Sequence, residues 1–105
     1  MAKLKVAVFA SGNGSNFQAL VDGARDGRID AEIRLLVCDK PGAPVIGRAE
    51  AAGIETYVFR PRDYPSREAY EREILIELKR RGVELVVLAG YMRIVTPVLV
   101  GAYYG

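Results

Sequence analysis

Four short apolar runs, each followed by a stretch whose apolar residues recur at helical spacing, constrain the fold of this chain more than any other feature. The runs lie at 5–10 (KVAVFA), 32–38 (EIRLLVC), 55–59 (ETYVF) and 85–89 (LVVLA), and the helical patterns at 16–25, 45–52, 67–81 and 97–103. A βαβαβαβα order of this kind calls for a parallel sheet with right-handed crossovers and helices on both faces. The run at 85–89 carries no polar residue, so it is expected to be buried on both faces. With 105 residues, half of them hydrophobic, the chain has the material for one domain spanning 1–105 and none for a second. The predicted fold class is therefore α/β: an open parallel sheet in a Rossmann-like three-layer α/β/α sandwich.

Local punctuation agrees with that reading. Gly27, Gly53 and Gly82 fall where helix C-termini need a left-handed residue, Ser66 can cap the third helix, and Thr96-Pro97 is a cap followed by proline in a first turn. In the third helix Tyr70, Ile74, Leu75 and Leu78 form the apolar stripe, with Glu68–Arg72 and Glu77–Arg81 as ion pairs on the wet side. No repeat, linker or low-complexity segment interrupts the pattern.

Between the first strand and the first helix stands SGNGSN, residues 11–16. A strand feeding a glycine-rich turn that opens a helix brings backbone N–H groups together with the positive end of a helix dipole, an arrangement that holds phosphate without a cation. Gly12 and Gly14 can take positive φ and let an anion approach the backbone. Ser15 and Asn16 are expected to cap the helix and to add side-chain donors. The pattern suits a compact monophosphate. It is not a nucleoside-triphosphate loop, because no Gly-Lys-Ser/Thr follows, and it departs from the dinucleotide fingerprint because the third glycine position holds Phe17. The competing reading is a tight turn whose glycines serve geometry alone.

In open α/β sheets ligands gather at the carboxyl ends of the strands, which here collects 11–16, 38–40, 60–67 and 90–95. The last segment, GYMRIV, mixes an aromatic, apolar residues and an arginine. Met92, Ile94 and Val95 could wall a flat heteroaromatic ligand, with backbone groups bonding its edge and Arg93 meeting a carboxylate. Composition equally allows a loop whose apolar residues enter the core while the arginine is solvated. Asp39 stands near the position of a ribose-binding acid, but a residue that simply ends the second strand ahead of Lys40-Pro41-Gly42 explains it better. Cys38, the single cysteine, reads as a small core residue in a reducing compartment.

Several chemistries are disfavoured. The sequence contains no histidine, which removes the usual acid/base near neutral pH and the usual metal ligand. Fifteen Lys and Arg are interspersed with thirteen Asp and Glu for a net charge of +2, so no basic face points to nucleic acid. The basic run Lys79-Arg80-Arg81 complements a helix C-terminus. No apolar stretch of membrane-spanning length occurs, and a soluble cytoplasmic protein is expected.

Taken together, SGNGSN, Ser66-Arg67-Glu68-Ala69-Tyr70 and above all Leu88-Ala89-Gly90-Tyr91-Met92-Arg93-Ile94 resemble the amino-terminal half of the phosphoribosylglycinamide formyltransferase family. The resemblance runs over nearly the whole chain and implies the formyltransferase fold, truncated. It also implies the family's reaction in purine biosynthesis, in which a formyl group passes from 10-formyltetrahydrofolate, the donor substrate, to glycinamide ribonucleotide without a metal. On this basis Gly14, Ser15 and Asn16 would hold the ribonucleotide phosphate, and Arg67, Met92, Arg93, Ile94 and Val95 would border the folate. The family's catalytic Asn, His and Asp would fall beyond Gly105, so no catalytic residue is expected within the chain and the 105 residues alone are expected to be inactive. Neither nucleic acid nor membrane is implied as a partner, and a homodimer is left open. The rival functions are a non-catalytic phosphate- or nucleotide-binding domain and a nucleotide-dependent oxidoreductase.

Overall fold

The strand at the centre of the sheet has almost no polar atom to offer beyond its backbone, and its position follows from that. The computed structural model describes residues 3–93 and 95–103. They form β1 (Leu4–Ala10), α1 (Ser15–Asp26), β2 (Ala31–Cys38), α2 (Pro44–Ala51), β3 (Glu55–Val58), a short 3-10 turn (Pro61–Asp63), α3 (Arg67–Arg80), β4 (Leu85–Leu88) and α4 (Pro97–Tyr103). The four strands pair in the order β3-β2-β1-β4, every pair parallel, as the alternation predicts.

Two cores lie on opposite faces of this sheet. Val6, Val8 and Ala10 of β1 face Phe17 and Val21 of α1 and Val45 and Ala49 of α2. Ala7 and Phe9 face the other way, onto Tyr70, Ile74 and Leu78 of α3 and Leu99 of α4. Successive residues of one strand thus feed different cores, which is the side-chain alternation of a strand covered on both sides. The expected stripe on α3 is present, with Leu75 half-buried at its margin.

Simple alternation fails in β2. The register with β1 passes from Val6↔Ile33 to Ala7↔Leu35, so Arg34 is an extra residue that bulges from the ladder and pairs with Glu32. The bulge reverses the parity of the strand. Ala31 and Ile33 belong to the α1/α2 core, whereas Leu35 and Val37 belong to the α3/α4 core, although all four are odd-numbered.

β4 differs from expectation. It borders only β1 among the described strands, and Leu85 and Leu88 are 41% and 53% exposed, so the run at 85–89 is buried only in part. The capping expectations hold: Gly27, Gly53 and Gly82 are left-handed, and Ser66 Oγ accepts a hydrogen bond from the Ala69 amide at 3.1 Å. Arg81 pairs with Glu77 at 2.6 Å and also reaches Glu55 of β3 at 3.1 Å. The predicted Glu68–Arg72 pair does not form among the described residues. None of their helices is long and apolar enough to cross a membrane.

Two isoleucines one half-turn apart on α3 test which face carries the stability. Ile74 is fully buried and Ile76 is 58% exposed. In urea unfolding, Ile74→Ala is expected to cost about 2–5 kcal/mol and Ile76→Ala within about 0.5 kcal/mol of zero.

Candidate functional site

The order of strands reverses at β1, with β2 and β3 to one side and β4 to the other. At such a switch point the loops leaving adjacent strands diverge and open a crevice. The loops here are 11–14 after β1 and 89–96 after β4.

Gly14 organises the first loop. It is the N-cap of α1, with φ 87° and ψ 19°, and a Cβ in its place would stand 2.5 Å from Cγ2 of Val45. Only glycine meets both requirements. The first helical hydrogen bond runs from the Gln18 amide to the Gly14 carbonyl at 2.8 Å, so the amides of Ser15, Asn16 and Phe17 lie in the first turn with no partner inside the helix. Three N–H groups at a helix N-terminus can receive the oxygens of a compact anion. Two details bear on the sequence expectation. Gly12 is not at positive φ, and the cap, contrary to expectation, is the Gly14 backbone with no side-chain bond, which puts Ser15 and Asn16 inside the first turn. Their exposed side chains remain close to those amides.

Helix α2 braces this loop. The Val45 amide donates to the Gly12 carbonyl at 3.1 Å, and Arg48 grips Asn13 twice, Nε to the backbone oxygen and Nη2 to Oδ1, both at 2.9 Å. Sequence reasoning missed Arg48. Its partner lies 35 residues away, and no local pattern marks an arginine on a short helix as a clamp.

The second loop is bolted to the first through Ser11, which is 6% exposed. Its amide donates to the Gly90 carbonyl at 3.2 Å and its hydroxyl accepts from the Met92 amide at 2.8 Å. The Met92 N–H is therefore engaged and does not bond a ligand edge as expected. The Met92 side chain is 79% exposed, whereas Tyr91 stacks edge-to-face on Phe9 at 5.2 Å and Val95 is half-buried against the α3/α4 core. Tyr91 and Val95 thus turn toward the core, as the second reading of this loop allows, while Met92 stands out. Ile94 lies outside the described residues.

Arg93 and Asp39 settle each other's position. Arg93 Nε donates to Asp39 Oδ2 at 2.8 Å, and the Asp39 side chain is only 3% exposed. Asp39 meets that arginine through Oδ2, while its Oδ1 is buried without a hydrogen-bond partner, and the bond raises the Arg93 guanidinium above its ordinary range. The terminal nitrogens of Arg93 remain free to face outward.

Arg67 and Arg93 meet in one cleft of about 660 Å³ whose walls also carry Lys40, Arg60 and Arg62. Five cations and one carboxylate, itself paired, make a pocket for carboxylates or phosphates. Tyr70 lines its floor, and burial, then the neighbouring Glu71, raises its phenol above the usual value, so that it stays a neutral hydroxyl. Burial does the same for Tyr91. Of the residues expected to border one ligand, the structure brings Arg67 and Arg93 together, while Met92 and Val95 are not among the cleft walls. Lys40, Arg60 and Arg62 were not singled out individually, although their segments were. Among the described residues no group of three or more His, Cys, Asp or Glu could hold a metal.

The fit of Gly14 against Val45 is directly testable. Gly14→Val should destabilise the fold by more than about 1–2 kcal/mol in urea unfolding, because a β-branched residue is forced to positive φ. Adding Val45→Ala should recover the steric part of that loss and leave the backbone part.

Comparison with known proteins identifies the family to which this fold belongs. The model of the formyl transferase family matches residues 4–105. A phosphoribosylglycinamide formyltransferase from Bacillus subtilis (strain 168) is 50% identical over 101 residues, covering 96% of this chain and 52% of that protein. The trifunctional purine biosynthetic protein adenosine-3 of Drosophila melanogaster is 42% identical over 103 residues, 96% of this chain and 8% of that protein. The crystal structure of glycinamide ribonucleotide transformylase 1 from Geobacillus kaustophilus superposes with a TM-score of 0.95 at 53% identity, over 97% of this chain and 54% of that one. The chain thus spans about half the length of the Bacillus and Geobacillus proteins. With the family model covering all but its first three residues, the chain belongs to the formyl transferase family.

Proposed function

We propose that this chain supplies the phosphate loop and part of the formyl-donor site for transfer of a formyl group from 10-formyltetrahydrofolate to glycinamide ribonucleotide, a step of purine biosynthesis. The observation that carries the reading is the α1 entry: a left-handed Gly14 seated on Val45, followed by the unpartnered amides of Ser15 and Asn16 at the switch point of the sheet. The names borne by the Bacillus and Geobacillus proteins support the ribonucleotide as acceptor, and that of the Drosophila protein supports the pathway.

In this reading the chain's own residues bind and orient. Gly14, Ser15 and Asn16 hold the phosphate and so fix the acceptor amine relative to the sheet edge. Arg67 and Arg93, in the cleft beyond, take the acidic end of the folate, and Met92, Ile94 and Val95 border its ring system. No residue of the chain is assigned a proton-transfer role. The buried free thiol of Cys38, raised above its ordinary value by burial, is in keeping with a cytoplasmic setting.

Calorimetric titration separates the alternatives. Glycinamide ribonucleotide should bind at least about 100-fold more tightly than the same riboside without phosphate, since two or more charge-assisted hydrogen bonds are lost with it. Gly14→Val should abolish ribonucleotide binding in a variant that remains folded; unchanged affinity would reject the phosphate assignment. Tighter binding of a nicotinamide dinucleotide than of the ribonucleotide would instead favour an oxidoreductase.

A second measurement addresses the donor side. Arg67→Ala and Arg93→Ala should each weaken 5-formyltetrahydrofolate, used as a non-transferring probe, by about tenfold or more while ribonucleotide affinity stays within about twofold. Equal losses on both ligands would place these arginines in the scaffold.

A further inference from the structure

One buried charge is not used by the site described so far. Glu71 of α3 is 2% exposed, yet it is an acid with no cationic partner among the described residues. All of its hydrogen bonds come from the segment that opens α4. Its Oε1 accepts from the Thr96 hydroxyl at 2.6 Å and the Leu99 amide at 3.3 Å, and its Oε2 accepts from the Thr96 amide at 3.0 Å. The Thr96 hydroxyl in turn accepts from the Val98 amide at 3.2 Å, so the carboxylate and the threonine together satisfy the first turn of that helix.

A buried carboxylate is a costly way to join two helices. Where packing alone is at stake, an apolar pair of similar volume serves as well or better, and what an acid adds is a fixed geometry. The geometry fixed here is specific. Arg67 stands one helical turn before Glu71, and Arg93 stands three residues before Thr96, while both arginines line the same cleft. The Glu71–Thr96 junction therefore joins two of the segments that bring cations to that cleft, those of Arg67 and Arg93.

We propose that Glu71 is a positioning residue for the donor side of the site: by gripping Thr96 and Leu99 it ties together, for one anionic ligand, the segments that carry Arg67 and Arg93, while Asp39 holds the Arg93 side chain itself. The naming of that ligand as a folate rests on the functional reading above; the positioning does not.

The experiment compares Glu71→Gln, Thr96→Val and Thr96→Ser in the full 105-residue chain. Glutamine keeps the size but exchanges one of the two acceptor oxygens for an N–H donor, which then opposes either the Thr96 amide or the Leu99 amide, valine removes only the hydroxyl, and serine restores it. Three quantities are read: the dissociation constants of 5-formyltetrahydrofolate and of glycinamide ribonucleotide, and amide hydrogen exchange over residues 90–99. Glu71→Gln and Thr96→Val should weaken the folate probe by about tenfold or more, leave the ribonucleotide within about twofold and speed exchange at 92–99, and Thr96→Ser should return all three to the parent values. Equal weakening of both ligands, or unchanged exchange at 92–99 in a folded variant, overturns the proposal. Should Glu71→Gln fail to fold, Thr96→Val against Thr96→Ser decides. If the parent chain does not bind the folate probe, the functional reading of the cleft falls, and exchange at 92–99 still decides the positioning.

Discussion

Everything in this structure hangs on β1. Ala7, Val8 and Phe9 are completely buried, the strand pairs with a neighbour on each side, and its alternate residues enter two different cores. A strand in that position has no solvent face on which to vary. Its backbone bonds and both sets of side chains are satisfied only if α1 and α2 cover one side and α3 and α4 the other. The place where β1 ends is therefore fixed with unusual firmness, and the loop that leaves it inherits that rigidity. A binding loop mounted on the most constrained element of a fold needs little further ordering when a ligand arrives.

Electrostatics divides the carboxyl-terminal edge of the sheet into two unlike environments. Around Gly14 the positive potential comes from backbone dipoles, with Arg48 engaged in holding Asn13. Beyond Asp39 it comes from side chains, Lys40, Arg60, Arg62, Arg67 and Arg93, in an open cleft. The first environment is short, directional and suited to one compact anion. The second is broad and tolerates a flexible one, because long basic side chains adjust where amides cannot. Two buried acids shape that second environment without neutralising it: Asp39 holds Arg93 from one side, and Glu71 holds the segment behind it from the other.

Much of this was legible in the sequence because it is written locally. The four strands and four helices fall within one or two residues of the positions their periodicity predicts, and Ser66, Gly27, Gly53 and Gly82 punctuate them as expected. The location of 11–16 and of Arg67 and Arg93 at one sheet edge follows from topology alone. What was not legible depends on partners distant in the chain. Arg93 finds Asp39 across 54 residues and Glu71 finds Thr96 across 25. On a helical wheel Glu71 is simply an acid beside Tyr70, and nothing nearby indicates that a threonine will bury it. The bulge at Arg34 escaped for a related reason: EIRLLVC is apolar enough to be read in either parity, and the register that chooses between them belongs to β1. Either glycine of SGNGSN could have taken positive φ, and the turn uses only one reversal, at Gly14.

Ser11 carries a consequence of its own. Its amide and its hydroxyl reach Gly90 and Met92, so the two loops of the crevice are not separate flaps but one stitched seam. To move either alone, both bonds must be given up, at about 1 kcal/mol each and more where the donor is left buried. The phosphate loop and residues 90–92 are therefore coupled directly through one side chain and one backbone bond. One buried serine thus makes the two halves of the crevice a single mechanical part.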